Sequence, residues 1–402
     1  MNRAMIQARV MSASLTLLII TYAVAHHLPT TVVAPSRPSA PVENSFLSLT
    51  AAACRIVLLD EVGEARHRNP HRKWTLAEKQ KLVNENDAVI QFTHQALLLP
   101  YCETNTVTSI DDEPGYHKEM RSLTRLLTLA GDVEWESGNP FAAVDYYLDA
   151  VTLGRKIPNR VGVEGHLAGL SCEISGRSHL WRRLDSMDTN TAQKCLTRLN
   201  TLESERVPLF VAFEEEKFTA QSIVMEIKAK VQPTSYTGIV PKYVVMHILT
   251  DHMDKQIALT KTPYSAGNEE IPPPKEFLAR ALAPNTQKAR YKYASAQTGD
   301  ALLRTALAMR VYRARTGKSP VTLSELVTAR LLTRVPDDPF APPGIPLRYK
   351  TQTDGKSLLY SVGPDGVDNG GRGIEGKATN GTQTRAPIME SQGDMVSGWY
   401  SY

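Results

Sequence analysis

Asp365, Asp368 and Asn369 stand in a stretch where five of the eleven residues from Gly363 to Gly373 are glycine, directly after the apolar run "SLLYSV". Carboxylates and a carboxamide offer hard oxygen donors, the kind that a calcium ion gathers in sets of about six to eight, together with backbone carbonyls. Glycines let a chain turn tightly enough to aim several carbonyls at one point. The alternative for such a stretch is an ordinary mobile turn rich in Gly, Asn and Asp. Why a strand should empty into this loop is the question the sequence poses.

Other candidate groups carry less chemistry. His247 and His252 have Asp251 and Asp254 beside them. A spacing of i to i+5 points two helical side chains apart, however, where i to i+4 would place them on one face. These are expected to be structural histidines, and Glu214, Glu215 and Glu216 a solvated helix face. No H-E-x-x-H, G-x-S-x-G or phosphate-loop G-K-[ST] occurs, and nothing in the chain asserts a catalytic site. Cys54, Cys102, Cys172 and Cys195 form no C-x-x-C pair, which leaves zinc ribbons and thioredoxin-like chemistry without support. Buried small hydrophobes and a single disulfide both stay open.

The elements that would position these groups are mainly helical. With 402 residues, 42% hydrophobic and 22% charged, the chain is long enough for two or three cores and is not disordered. Its formal charge is +4, and no Lys/Arg block appears, so nucleic acid is not an expected partner. After Arg9 no charged residue occurs before Arg37. A basic start followed by an apolar run reads as an export segment, either a signal peptide cleaved near Ala25 or a transmembrane anchor over 1–28. Both place the remainder beyond the cytoplasmic membrane. Residues 29–44 form a Pro-rich linker.

From 45 to 285 the patterning is that of a large all-α domain. Thr75 and Glu78 make a capping box at one helix start. "LLTLAGDVEWESGNPFAAVDYYLDAVTLGRK" resembles one tetratricopeptide-like helical hairpin, within 123–156, with Gly131, Gly138, Ala143, Tyr147 and Ala150 at the spacings that motif uses. The small residues let two helices approach, Gly138 turns the chain, and Tyr147 fills the groove. No second copy follows. Pro272, Pro273 and Pro274 mark a break, after which a long helix ends at Gly317 with Pro320 beyond.

From that helix onward, 286–402 resembles the globular domain of the major pseudopilins of type II secretion. The resemblance rests on "ALAMRVYRARTGKSP", "TLSELV", "LLTRVPDDPF", "PLRYK", "DGKSLLYSVGPDG" and "GDMVSGW", in that order. It implies a small α+β module in which the helix lies across an antiparallel sheet, and a calcium ion held by Asp365 and Asp394. Asp368 and Asn369 join that set from local chemistry. The chain lacks the family's Gly-Phe-Thr-Leu-x-Glu processing site, and the 374–392 segment is longer than the family places between the two aspartates. The expected function is therefore an exported, membrane-tethered or secreted envelope protein acting as a non-enzymatic interaction or assembly module, with envelope or secretion-system proteins as partners. A pseudopilin-related subunit of a secretion or pilus-like machine is the first alternative, and an exported hydrolase without a recognisable motif the second.

Protease added to intact spheroplasts should digest the part after residue 29; full protection would exclude export.

Overall fold

In a computed structural model the described residues are 36–37, 39–57, 74–104, 116–230, 240–267, 270–351, 357–374 and 388–397. The expected export segment lies outside them, as does half of the linker. Among the described residues no helix is long and apolar enough to cross a membrane. The fold is mainly helical, with one small three-stranded antiparallel sheet.

Among the described residues three helices open the body: α1 (Phe46–Ala53), α2 (Leu76–Glu85) and α3 (Asp87–Ala96). The capping box forms as the sequence predicts: the Glu78 amide donates to Thr75 Oγ1 at 3.3 Å, and the Thr75 amide donates to Glu78 Oε2 at 2.9 Å. Next come α4 (His117–Glu136) and α5 (Pro140–Lys156), the expected hairpin. Gly138, at φ +87°, turns the chain between them. A Cβ on Gly131 would lie 2.4 Å from the Tyr147 ring, so the missing side chain is the space the tyrosine occupies. Tyr147 is wholly buried, and its hydroxyl donates to Asp132 at 2.7 Å.

Helix α6 (Val163–Arg183) then packs on α5 at a distance that only glycine permits. A Cβ at Gly154 would meet the Glu173 amide nitrogen at 2.4 Å, and one at Gly176 the Tyr147 carbonyl at 2.6 Å. Helices α7 (Thr189–Ser204), α8 (Leu209–Lys230) and α9 (Lys242–Thr260) complete the body. The three glutamates of α8 are not the solvated face expected from sequence. Glu214 is exposed beside Lys261, but Glu215 pairs with Arg37 of the linker. Glu216 accepts from the Val163 amide at 2.8 Å, occupying the start of α6 where unbonded amides favour an anion.

A short helix α10 (Phe277–Ala281) precedes α11 (Thr286–Thr316), which Asn285 caps at one end and Gly317, at φ +74°, closes at the other. Beyond α12 (Ser324–Thr328) come β1 (Arg348–Thr351), β2 (Ser357–Ser361) and β3 (Met395–Val396). Their order is β1-β2-β3, with Arg348 opposite Tyr360 and Ser361 opposite Met395. One face of α11, through Leu303, Leu307 and Val311, belongs to the core that contains Leu347, Leu359 and Met395 of the sheet side. That same core contains Val144, Leu148 and Val151 of α5 and Leu196 and Leu199 of α7. The boundary expected at 285/286 is therefore the start of a helix, and a single core runs across it.

The proline break predicts that 45–285 folds by itself; the shared core leads to the opposite expectation. Expressed alone, 45–285 should give a helical circular-dichroism spectrum but a broad, non-cooperative melt. A sharp two-state transition in that fragment would contradict the dependence on α11.

Candidate functional site: the glycine-rich loop and the buried charge network

The loop after β2 is held by carboxylates that accept backbone amides. Asp394 is fully buried, with Oδ1 accepting from the Asn369 amide at 3.2 Å and Oδ2 from the Gly371 amide at 2.5 Å. Asp365 reaches the preceding residue: its Oδ2 accepts from the Gly393 amide and its Oδ1 from the Val367 amide, both at 3.1 Å. The two aspartates mapped by resemblance are thus brought together. Asp368 faces the sheet, accepting from the Gly370 amide at 2.9 Å, the Tyr360 hydroxyl at 3.1 Å and Arg348 Nε at 3.1 Å. Asn369 turns its carboxamide N–H to the Val367 carbonyl at 2.9 Å.

Electrostatics follow the geometry. Burial pushes Asp394 up, its two amide donors oppose the rise, and the Asp368 and Asp365 charges add to it. The Gly370 amide, with Arg348 and Tyr360, holds Asp368 below the usual carboxylate range. Tyr360 is pushed up to about 12, first by burial and then by its bond to Asp368. Gly363, at φ +75°, is required because a Cβ there would stand 2.2 Å from the Gly393 carbonyl. Tight backbone crossing at that point joins the two ends of the loop.

A further anchor was hidden in the "DDPF" turn. Asp337 and Asp338 are expected from sequence to bond their own turn, and Asp338 does so through the Phe340 amide at 3.1 Å. It also accepts from Ser361 Oγ at 2.6 Å and the Val362 amide at 2.9 Å, so a buried carboxylate, pushed up by burial, ties the turn to the end of β2. Asp337 pairs instead with Arg334.

The other sequence candidates resolve simply. His247 is exposed and His252 buried, on different faces of α9 as the spacing requires; Asp251 pairs with Lys255 and Asp254 with Lys217. All four cysteines are free thiols. Burial pushes Cys172 up to about 11 and Cys195 up to about 12, so both stay protonated small hydrophobes.

The group that sequence reasoning missed is a network of buried charges between the helices. Arg155 of α5 contacts Glu173 of α6 at 3.2 Å, Glu203 of α7 at 3.1 Å and Asp300 of α11 at 2.9 Å. Arg206 contacts Glu173 at 3.3 Å and Glu203 at 3.0 Å, and Arg304 donates to Asp300 at 2.7 Å. Arg177 completes it, with Nε 3.4 Å from Glu173 and Nη1 donating to the Ala296 carbonyl at 2.7 Å. Burial pushes Glu173 and Asp300 up, but Arg155 and its companions outweigh that and hold both below the usual carboxylate range. His166, beside the network, has no hydrogen-bond partner at either ring nitrogen among the described residues. Burial, then Arg206, pushes it down to about 3, so it is neutral. A signal was present in the sequence: Gly154, Gly176 and Gly299 lie inside helical patterns and each precedes a charged residue of this network. Interior helical glycine costs about 1 kcal/mol against alanine, so each such position implies close packing.

No protein-family model matches the chain, and no curated protein or solved structure matches it.

Among the described residues no three His, Cys, Asp or Glu side chains form a group that could hold a metal. All six carboxylate oxygens of Asp365, Asp368 and Asp394 accept protein donors; Asp368 Oδ1 accepts two, and the other five keep a second lone pair. We propose that calcium is taken here by Asp365 and Asp394 with backbone carbonyls completing the set, as the resemblance implies, since a cation would relieve the repulsion that the Asp368 and Asp365 charges impose on Asp394. Millimolar calcium should raise the melting temperature of the whole protein, and Asp365→Ala should remove that shift. Calorimetry without a binding heat at that concentration would leave the amide bonds as the loop's only support.

Proposed function

We propose that this chain acts outside the cytoplasmic membrane as a non-enzymatic interaction or assembly module of the cell envelope, tethered by its N-terminal segment or released from it. The observation that carries the reading is a set of exposed apolar side chains near the point where the linker enters the helical body. Ser45 donates through both its amide and its hydroxyl to the Pro100 carbonyl, at 2.8 and 3.0 Å, and Asn44 Nδ2 donates to the Cys102 carbonyl at 2.6 Å. These bonds bring Val42 and Leu47 to the same end as Leu98 and Leu99. All four are exposed, Leu47 at 68% and Leu98 at 71%. Single exposed leucines need no explanation, but several at one end of a domain mark an interaction surface. Envelope or secretion-system proteins are the partners this reading names.

A second reading, a pseudopilin-related subunit, is supported by α11 lying against the small sheet and by Asp338 joining the "DDPF" turn to the strand that ends "LLYS". The hydrolase reading has less support: of the buried carboxylates of the helical body, Asp149 and Glu173 bond to Arg or His side chains, and Glu103, pushed up to about 7 by burial, is the one group that reading could use.

The test is retention of an envelope partner, or self-association, by the purified protein, compared with the double variant Leu47→Asp, Leu98→Asp. Charges at the centre of an apolar contact should weaken the association by about tenfold or more, while the melting temperature stays unchanged because both side chains are exposed. A wild-type monomer that retains nothing, or an association indifferent to the double variant, would overturn the reading.

A further inference from the structure

Four guanidiniums in the buried network, Arg155, Arg177, Arg206 and Arg304, face three carboxylates, Glu173, Glu203 and Asp300. One positive charge is left over, and His166 beside them is neutral. An uncompensated buried charge costs several kcal/mol, so the position of the surplus matters. It falls on Arg177. Arg155, Arg206 and Arg304 each contact two or more carboxylates, whereas Arg177 contacts only Glu173, whose oxygens Arg155 and Arg206 share. The Arg177 Nε makes no hydrogen bond, as is also true of Arg155 Nε and Nη1, but Arg155 has three carboxylates in contact whereas the carboxylates near Arg177 among the described residues are Glu173 and Asp300 alone. Burial pulls the Arg177 guanidinium down against those two charges, while Arg206, equally buried, is raised by its partners.

Arg177 also lines a cavity of about 360 Å³ between α6, α11 and the start of β3. Leu167, Leu170, Ile174 and Trp181 supply one wall and Met395 part of another. That volume lies within the range of small-molecule sites, and a mainly apolar lining with a few polar groups is their usual composition. Besides Arg177 the polar lining comprises Ser171, Ser178, Tyr291, Lys292 and Ser295, and the Oγ of Ser295 is buried and makes no hydrogen bond with any described residue. Ser295 and Gly299 stand one turn apart on α11, and the Arg177 guanidinium lies against Gly299, where a Cβ would be 3.0 Å from Nη1. The surplus cation and the unbonded hydroxyl thus serve the same apolar space.

We propose that this cavity binds a small organic anion, a carboxylate with an apolar body, whose charge meets Arg177 and Ser295 and whose body lies against Leu170, Ile174, Trp181 and Met395. Such a ligand supplies the missing negative charge and the missing partner of the hydroxyl together. An alcohol of the same shape supplies only the second.

The test uses the purified full chain with octanoate, octan-1-ol and octylammonium as probes, read by calorimetry and by melting temperature. A hydrogen bond to a charged group contributes enough that octanoate should bind about tenfold more tightly than the alcohol, or better, and octylammonium should not bind. Ser295→Asp places a carboxylate on the same turn of α11; it should raise the unliganded melting temperature by about 2–4 °C and abolish octanoate binding. Ser171→Trp, at an exposed lining position, should block the cavity without touching the network. Equal affinity for octanoate and octanol, or no binding of either, overturns the proposal. So does octanoate binding that survives Ser295→Asp or, should that variant not fold, survives Ser171→Trp.

Discussion

Arg155 meets Glu173, Glu203 and Asp300 inside the protein, and the surrounding helices are arranged so that it can. Taking an ion out of water costs several kcal/mol even after relaxation, and the attraction between buried ions repays this only where the geometry is good. Here the partners come from α5, α6, α7 and α11, and Arg206 follows α7 directly. Two of these helices docked alone would leave part of the network without its partners. A greasy interface could slide by a turn and lose little; this one would separate four guanidiniums from three carboxylates. Such networks are weak evidence for high stability, but here the network fixes which helices belong together. It joins the hairpin of α4 and α5 to the C-terminal helix and sheet in one body.

Close approach of the helices is the condition for those contacts, and glycine meets it. Gly154, Gly176 and Gly299 each stand one residue before Arg155, Arg177 and Asp300, and Gly169 stands one turn before Glu173. A Cβ at Gly154 or Gly169 would lie within 2.7 Å of backbone on the facing helix. Without side chains at these positions the helix backbones come near enough for the neighbouring charged groups to span the gap. The glycines weaken each helix taken singly, and tertiary packing replaces what they lose. The same logic operates at Gly131, where the groove is filled by Tyr147 and its hydroxyl finds Asp132.

What could be read from sequence follows from how local each cause is. Thr75 with Glu78, Gly138 as a turn and Gly317 as a helix end are decided within a few residues, and the structure has all three. The strands "LRYK" and "SLLYSV" were legible because apolar and aromatic side chains were bounded by turn residues. Glu216 could not be read, because its partner is an amide 53 residues earlier in the chain. Nor could Asp300, whose partner Arg155 lies 145 residues away. Asp338 shows the boundary well: its bond within the turn was expected, whereas its bonds to Ser361 and Val362 depend on where β2 passes. In the loop, residue types identified the oxygens, but only the fold showed each of them accepting a protein donor. The core shared across 285/286 could not be read for the same reason, since three prolines mark a bend in the chain whatever core the next helix joins.

The loop and the cavity are separate in chemistry yet adjacent in the chain. Asp394 fixes the loop by accepting the Asn369 and Gly371 amides, and Met395, the next residue, both begins β3 and lines the cavity between α6 and α11. Its backbone position is set from two sides, by the Ser361 pairing in the sheet and by the bond from the Asp394 amide to the Arg372 carbonyl at 2.9 Å. With β3 only two residues long, the sheet alone gives little purchase on that position, and the loop carries much of the constraint. Anything that reorganises the carboxylate of Asp394 therefore acts one peptide unit from a cavity wall. On the other side of that cavity Arg177 is held by the charge network, through Glu173 and the Ala296 carbonyl. A cavity bounded by a buried cation on helices and by a methionine side chain has one wall of fixed charge and one whose unbranched side chain can repack. That asymmetry suits a site in which the fixed charge orients a ligand and the polarizable thioether side chain accommodates its body.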